Sequence, residues 1–163
     1  MIYVLTGGAS CGKTSVIEHL KEKGFNVLAE TAKEVLREFP DWSYKKKQVE
    51  IFRRQTEREN ALGEEDVFMD RSVIDCQIYS KILLDRVPVK IKVKRRYDKI
   101  FILDRLPFVK NDVRIESDEE EAQKIHNALV EEYRSLGYKP VFVPVMNVDE
   151  RVGFILDKID KRC

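Results

Sequence analysis

Residues Gly7 to Thr14 read GGASCGKT, a complete match to G-x-x-x-x-G-K-[ST], and they follow the apolar run Met1 to Leu5. A buried strand must hand the chain to a helix within this glycine-rich turn, which restricts the fold to those built around such a junction. Successive backbone N–H groups of Gly7, Gly8, Ala9, Ser10, Cys11 and Gly12 are expected to line a nest for phosphate oxygens. The helix starting near Lys13, with Thr14 and Ser15 in its first turn, adds its positive dipole end. Lys13 is expected to reach the β- and γ-phosphates and the Thr14 hydroxyl to ligate magnesium. The segment thus predicts a site for a nucleoside triphosphate.

The chain has 163 residues, enough for one domain with a substantial core. Its 30 basic residues nearly balance 29 acidic ones, so no global field exists to hold nucleic acid or an anionic membrane. Cys11, Cys76 and Cys163 are scattered and lack metal-ligand spacing, which fits a reducing compartment. The chain enters a strand at once and no apolar run approaches membrane-spanning length, so a cytoplasmic protein is expected.

Apolar runs predict strands at Ile2 to Leu5, Asn26 to Ala29, Asp66 to Met69, Lys99 to Leu103 and Pro140 to Val143, each separated by helical stretches. The first helix runs from Lys13 to Lys23 and stops at Gly24. Ser117 to Glu120 reads as a capping box, continued at helical spacing by Ala122, Ile125, Leu129, Val130 and Tyr133. In the last helix, Val148, Val152, Ile155, Leu156 and Ile159 share one face. Alternating strands and helices imply an α/β fold with a parallel sheet covered on both faces and ligands at the carboxyl strand ends. The less regular stretch 106–117 reads as a mobile lid.

Glu30 closes the second apolar run and Asp70 the third, so both are expected beside the phosphate loop. Phosphoryl transfer needs magnesium held, an acceptor aligned and charge neutralised. Asp70 is assigned to magnesium, directly or through water, and Glu30 to the acceptor hydroxyl as base or orienter. Glu30 also suits a plain helix N-terminal charge. Arg71 follows as a planar fork suited to bridging phosphates, with Ser72 beside it. In the lid, Arg114 is the expected cation for the γ-phosphate, with Arg105 as substitute and Lys110 nearby.

Around Gln48 to Leu62, Phe52, Arg53 and Gln55 form a candidate acceptor site, Phe52 stacking on a ring and Gln55 bonding its edge. The same residues also suit a core phenylalanine and a solvated face. The strip Val87 to Arg96 alternates valine or isoleucine with lysine; lacking aromatics, it reads as a half-exposed connector rather than a nucleic-acid surface. His126 either approaches a phosphate or packs at a face edge. Cys11 offers its backbone to the loop.

With these features placed, their order resembles the P-loop kinases, and deoxynucleoside kinases in particular. There a glutamate after the second strand acts as base and an acidic-Arg-Ser motif follows the third; Glu30 and Asp70, Arg71, Ser72 match in kind. Phrase by phrase the chain is more similar to small predicted AAA-type ATPases related to the ribosylnicotinamide kinase domain. The resemblance rests on the TGG lead-in to the loop, ETAKEVLRE, FMDRSVIDCQIY, Tyr97 and Asp98 before FIL, the DVR of the lid, IHNALVEEYRSLGY, VPV and DERVGFIL. It covers nearly the whole chain. It implies a three-layer P-loop NTPase fold of the nucleoside and nucleotide kinase type, strand order 2-3-1-4-5, as one domain over 1–163. It also implies that Pro144 to Asp149 border a purine. Ser72 departs from the glycine frequent in that family.

The expected activity is transfer of the γ-phosphoryl group of ATP to a nucleoside- or nucleotide-like small acceptor, with Mg2+; GTP stays open as donor. The competing reading is a nucleotide-dependent switch or slow NTPase acting on a protein partner. No N-K-x-D guanine motif is present, and DRS stands where a Ras-like switch would carry D-x-x-G. A membrane partner is not expected, nor is nucleic acid, and the oligomeric state is left open.

Overall fold

The computed structural model describes residues 1–84, 97–107 and 116–159. The strands are β1 (Ile2–Thr6), β2 (Val27–Leu28), β3 (Val67–Asp70), β4 (Lys99–Leu103) and β5 (Val141–Val143). The helices are α1 (Lys13–Glu22), α2 (Thr31–Glu38), α3 (Tyr44–Asn60), α4 (Val73–Leu84), α5 (Glu119–Ser135) and α6 (Val148–Ile159). All strands run parallel in the order β2-β3-β1-β4-β5. Leu5 pairs with Asp70 and Thr6 with Ile102, so β3 and β4 end level with the start of the phosphate loop.

Period-two alternation along the strands divides the core into two layers. Ile2, Val4, Met69, Ile100 and Ile102 face Ile74 and Ile78 of α4 and Ile125, Leu129 and Tyr133 of α5. Tyr3, Leu5, Phe68, Phe101 and Leu103 face Val16, Ile17 and Leu20 of α1 and Val152 and Ile155 of α6. A third cluster joins Val35 of α2 and Ile51 and Phe52 of α3 to Val73 and Cys76 of α4. This last cluster packs α2 and α3 against the start of α4, and Glu30, just beyond the end of β2, is the N-cap of α2.

The elements depart from the sequence reading at their ends. β2 keeps two residues, because the chain turns at Glu30 into α2 and only the Asn26 carbonyl extends the pairing, accepting from the Phe68 N–H at 2.9 Å. Pro140 has no N–H for the ladder and stays outside β5. The cap of α5 lies one residue later than the expected Ser117: Asp118 accepts from the Glu121 N–H at 2.9 Å, and Glu121 returns to the Ser117 N–H at 2.7 Å. Of the expected lid, 108–115 lie outside the described residues, and so do the strip 87–96 and Cys163.

Candidate active site

The phosphate loop is held by its carbonyls. Arg105 Nε donates to the Ala9 carbonyl at 3.1 Å and the Leu106 N–H to that of Ser10 at 2.7 Å. Arg151 Nη1 donates to the Cys11 carbonyl, and the Val16 N–H to that of Gly12 at 3.3 Å. A trans peptide points its N–H away from its C=O, so anchoring these oxygens outward turns the amides of Ser10 to Lys13 toward the other side. Ser10 and Gly12 at φ 59° and 77° give the loop its curl. Gly8 admits no side chain, since a Cβ there would lie 2.9 Å from the Ala122 carbonyl and 3.0 Å from His126 Cβ. The Gly8 N–H donates to His126 Nδ1 at 3.1 Å, so the histidine serves the loop backbone. Lys13 is buried and folds over its own loop, donating to the Gly7 carbonyl at 3.1 Å with Cys11 Sγ at the same distance.

Beside the loop, Glu30 and Arg71 form a pair across two strand ends. Arg71 Nε donates to Glu30 Oε1 at 2.8 Å and Nη1 to the Gly7 carbonyl at 3.3 Å, with the guanidinium 4.8 Å from the Tyr79 ring centre. Burial opposes ionisation of Glu30, but Arg71, Lys13 and Lys33 outweigh it and hold the carboxyl at about 2. Asp70 moves the other way: burial and the Glu30 carboxylate push it up to about 6 against the same cations. Arg71 takes φ 72°, a left-handed backbone costly for a side-chain-bearing residue. The turn is held by the partners of its side chain, Glu30 and the Gly7 carbonyl. Beneath it, fully buried Asp75 accepts from Thr6, from the Ser72 N–H at 3.1 Å and from Tyr133 Oη at 2.5 Å, bracing the DRS turn.

A cavity of about 330 Å³ opens from the loop between α2, α3 and α4. Its wall includes Lys13, Thr14, Ser15, Glu30, Lys33 and Arg71, and beyond them Gln48, Ile51, Tyr79 and Glu116. The structure does not bring the expected acceptor residues here. Phe52 is fully buried in the core of α2, α3 and α4. Gln55 accepts from Thr31 Oγ1 at 2.6 Å and donates to Glu59 at 2.9 Å, tying two helices. Arg53 is half exposed and paired with Glu50 and Glu57. Ser72 caps α4, its Oγ accepting from the Ile74 N–H at 3.1 Å. Gln48, one turn before Phe52 on α3, takes the place at the cavity. Of the cations considered for the γ-phosphate, Arg105 anchors Ala9 and pairs with Glu119 at 2.6 Å, while Lys110 and Arg114 lie outside the described residues.

The residues missed by sequence reasoning are chiefly Lys33, Asp75 and Arg151. Two carried a signal: Asp75 interrupts the apolar run Val73, Ile74, Cys76, and Arg151 falls on the buried face of α6 between Val148 and Val152. Buried Arg151 donates to the Pro144 carbonyl at 3.0 Å and the Asp104 carbonyl at 3.1 Å as well as to Cys11.

A divalent cation is compatible with this donor set. Asp70 Oδ1 is buried with no hydrogen-bond partner among the described residues. Thr14 Oγ1 already receives a cation, the Lys33 ammonium. No group of three His, Cys, Asp or Glu side chains that could hold a metal occurs among the described residues.

Sheet order, phosphate loop and flanking helices together define a P-loop domain with the architecture of the nucleoside kinases. The chain belongs to an AAA domain family, whose profile matches residues 2–151. No curated protein matches it by sequence. Among solved structures it is similar to a deoxyadenosine kinase from M. mycoides with bound dATP, at TM-score 0.67 and 17% identity over 99% of this chain and 100% of that one. It is similar to NadR protein in complex with NR, at TM-score 0.70 and 19% identity over 97% of this chain and 50% of that one. A third likeness is YorR protein from Bacillus subtilis in complex with phosphorylated GDP, at TM-score 0.53 and 20% identity over 98% and 96% of the two chains. At these identities the likeness is one of fold. Among the described residues no helix is long and apolar enough to cross a membrane.

Proposed function

We propose that this chain acts as a single-domain phosphotransferase that moves the γ-phosphoryl group of ATP to a hydroxyl or phosphate of a small, nucleoside- or nucleotide-like acceptor. The observation that carries this reading is the cavity contiguous with the phosphate loop, with Glu30 and Arg71 on the wall between loop and acceptor space. A switch acting on a protein partner does not require acceptor space beside the loop. The amides of the loop bind the triphosphate, and Lys13 turns from the Gly7 carbonyl to the β- and γ-phosphates. Thr14 and Asp70 would hold magnesium, which when bound neutralises and orients the phosphates.

Glu30, ionised and fixed by Arg71, accepts the hydrogen bond of the acceptor hydroxyl and aims its oxygen at the γ-phosphorus; as the new P–O bond forms and the bond to the ADP oxygen breaks, the hydroxyl proton passes to Glu30. A carboxylate held at about 2 is a weak base, which suits an orienter in a loose transition state that needs little proton removal before bond breaking. Arg71, already between Glu30 and the loop, stabilises charge on the moving group. The deoxyadenosine kinase, NadR and YorR structures hold dATP, NR and phosphorylated GDP, so nucleosides and nucleotides are the first compounds to try.

The test is a panel of nucleosides, nucleotides and ribosides incubated with γ-labelled ATP and magnesium. Label appears in one acceptor class and is lost in Lys13→Ala. Equal turnover with and without every acceptor would replace this reading with that of a hydrolase or switch.

A further inference from the structure

Lys33 stands in the first turn of α2, where the helix dipole disfavours a cation. Its position is nevertheless well supplied with partners. The ammonium donates across from α2 to the Thr14 hydroxyl of α1 and lies 3.3 Å from Glu30 Oε2. It also contributes to the field on the buried Asp70 carboxylate. An ordinary surface pair between residues three apart would be satisfied by Glu30 alone and would contribute little. Lys33 instead reaches an oxygen on another helix, the hydroxyl proposed above as a magnesium ligand.

We propose that Lys33 is the built-in counter-ion of the phosphoryl-transfer site: it stands on the Thr14 oxygen when no metal–nucleotide complex is bound, and turns to the transferred phosphoryl group when that complex claims the oxygen. The inference rests on the proposed function. An ammonium and a divalent cation do not share one hydroxyl, because at contact distance their repulsion exceeds thermal energy even at a solvent-exposed oxygen such as that of Thr14. A four-carbon stem with rotatable donors gives Lys33 the freedom to move. The direction is set by the cavity, whose wall Lys33 shares with Lys13, Glu30 and Arg71. Leaving Thr14, the ammonium stays beside Glu30 and meets the anionic phosphoryl group arriving there.

The experiment compares wild type with Lys33→Met, which keeps stem length and removes charge; Lys33→Gln carries the same comparison if the methionine variant does not fold. Manganese(II) titrated without nucleotide and followed by electron paramagnetic resonance is expected to bind roughly tenfold more tightly to the variant, whose Thr14, Glu30 and Asp70 have lost their resident cation. With saturating ATP and magnesium, phosphoryl release or transfer is expected to fall about a hundredfold while the ATP Kd changes by less than about threefold. Coincident manganese titrations, or unchanged turnover, overturn the role of Lys33. If wild type binds no ATP at all, the proposed function fails; if it binds ATP and the manganese titrations coincide, only the counter-ion fails.

Discussion

Arg71 joins Glu30 to the phosphate loop, its Nε 2.8 Å from the Glu30 carboxylate and its Nη1 3.3 Å from the Gly7 carbonyl. The guanidinium therefore couples the orientation of the Glu30 carboxylate to that of the phosphate loop. Because Glu30 is locked by this fork, Glu30→Gln keeps the shape and loses the charge-assisted bond. Phosphoryl transfer is expected to fall about a hundredfold, with ATP affinity nearly unchanged. Single-turnover rates with labelled ATP, set beside nucleotide titrations, check both halves. An unchanged transfer rate would remove Glu30 from the reaction.

Arg151 performs a comparable task on the far side of the loop, where one buried guanidinium satisfies the carbonyls of Cys11, Asp104 and Pro144. Arg151→Met leaves three acceptors without their donor, at an expected cost of about 3 kcal/mol. For a chain of this length that lowers the melting temperature by roughly 10 °C. ATP binding measured below the new transition should also weaken, about tenfold, because the Cys11 peptide plane is no longer fixed. A melting shift with intact ATP affinity would confine Arg151 to stability.

Acid should loosen the loop through His126. Nδ1 accepts the Gly8 N–H only while unprotonated, and burial, then Arg105, hold the imidazole below its ordinary 6.5. As pH falls, the unfolded chain takes up this proton first, so the stabilisation is complete above about 6.5 and is lost as pH drops through the lower folded value. His126→Gln offers an acceptor that does not titrate. Thermal melts from pH 8 to 5 are expected to show a steeper loss for wild type than for the variant; parallel curves would exclude His126 as the source.

What could be read from the sequence is what is local. The phosphate loop, the five apolar runs and the face of α6 depend on near neighbours and a fixed period, and the structure keeps all of them. Glu30, Asp70 and Arg71 follow because a strand end in a parallel sheet has only one place to be. The cavity wall contributed by α3 was not legible, because it depends on contacts between helices distant in the chain. Gln48, Ile51, Phe52 and Gln55 all lie on the buried side of α3, and periodicity cannot say which of them meets a cavity and which a helix. Arg151 and Asp75 are charged residues inside the core, and their partners, the Cys11 carbonyl and the Thr6 hydroxyl, lie far away in the chain.

The two residues of α3 can be separated by experiment because their environments differ. Phe52 is enclosed by Val35, Ile51, Val73 and Cys76, so Phe52→Ala removes packing and is expected to cost about 4 kcal/mol while leaving the acceptor KM of the surviving folded protein unchanged. Gln48 lines the cavity and its side-chain Oε1 accepts from Ser80 Oγ at 3.4 Å, so Gln48→Leu keeps volume and removes polar contacts to whatever enters. The acceptor KM is then expected to rise about tenfold with little change in the melting temperature. Denaturant melts and acceptor saturation curves on both variants decide the matter. A raised KM in Phe52→Ala with none in Gln48→Leu would return the acceptor to the ring and take it from the amide.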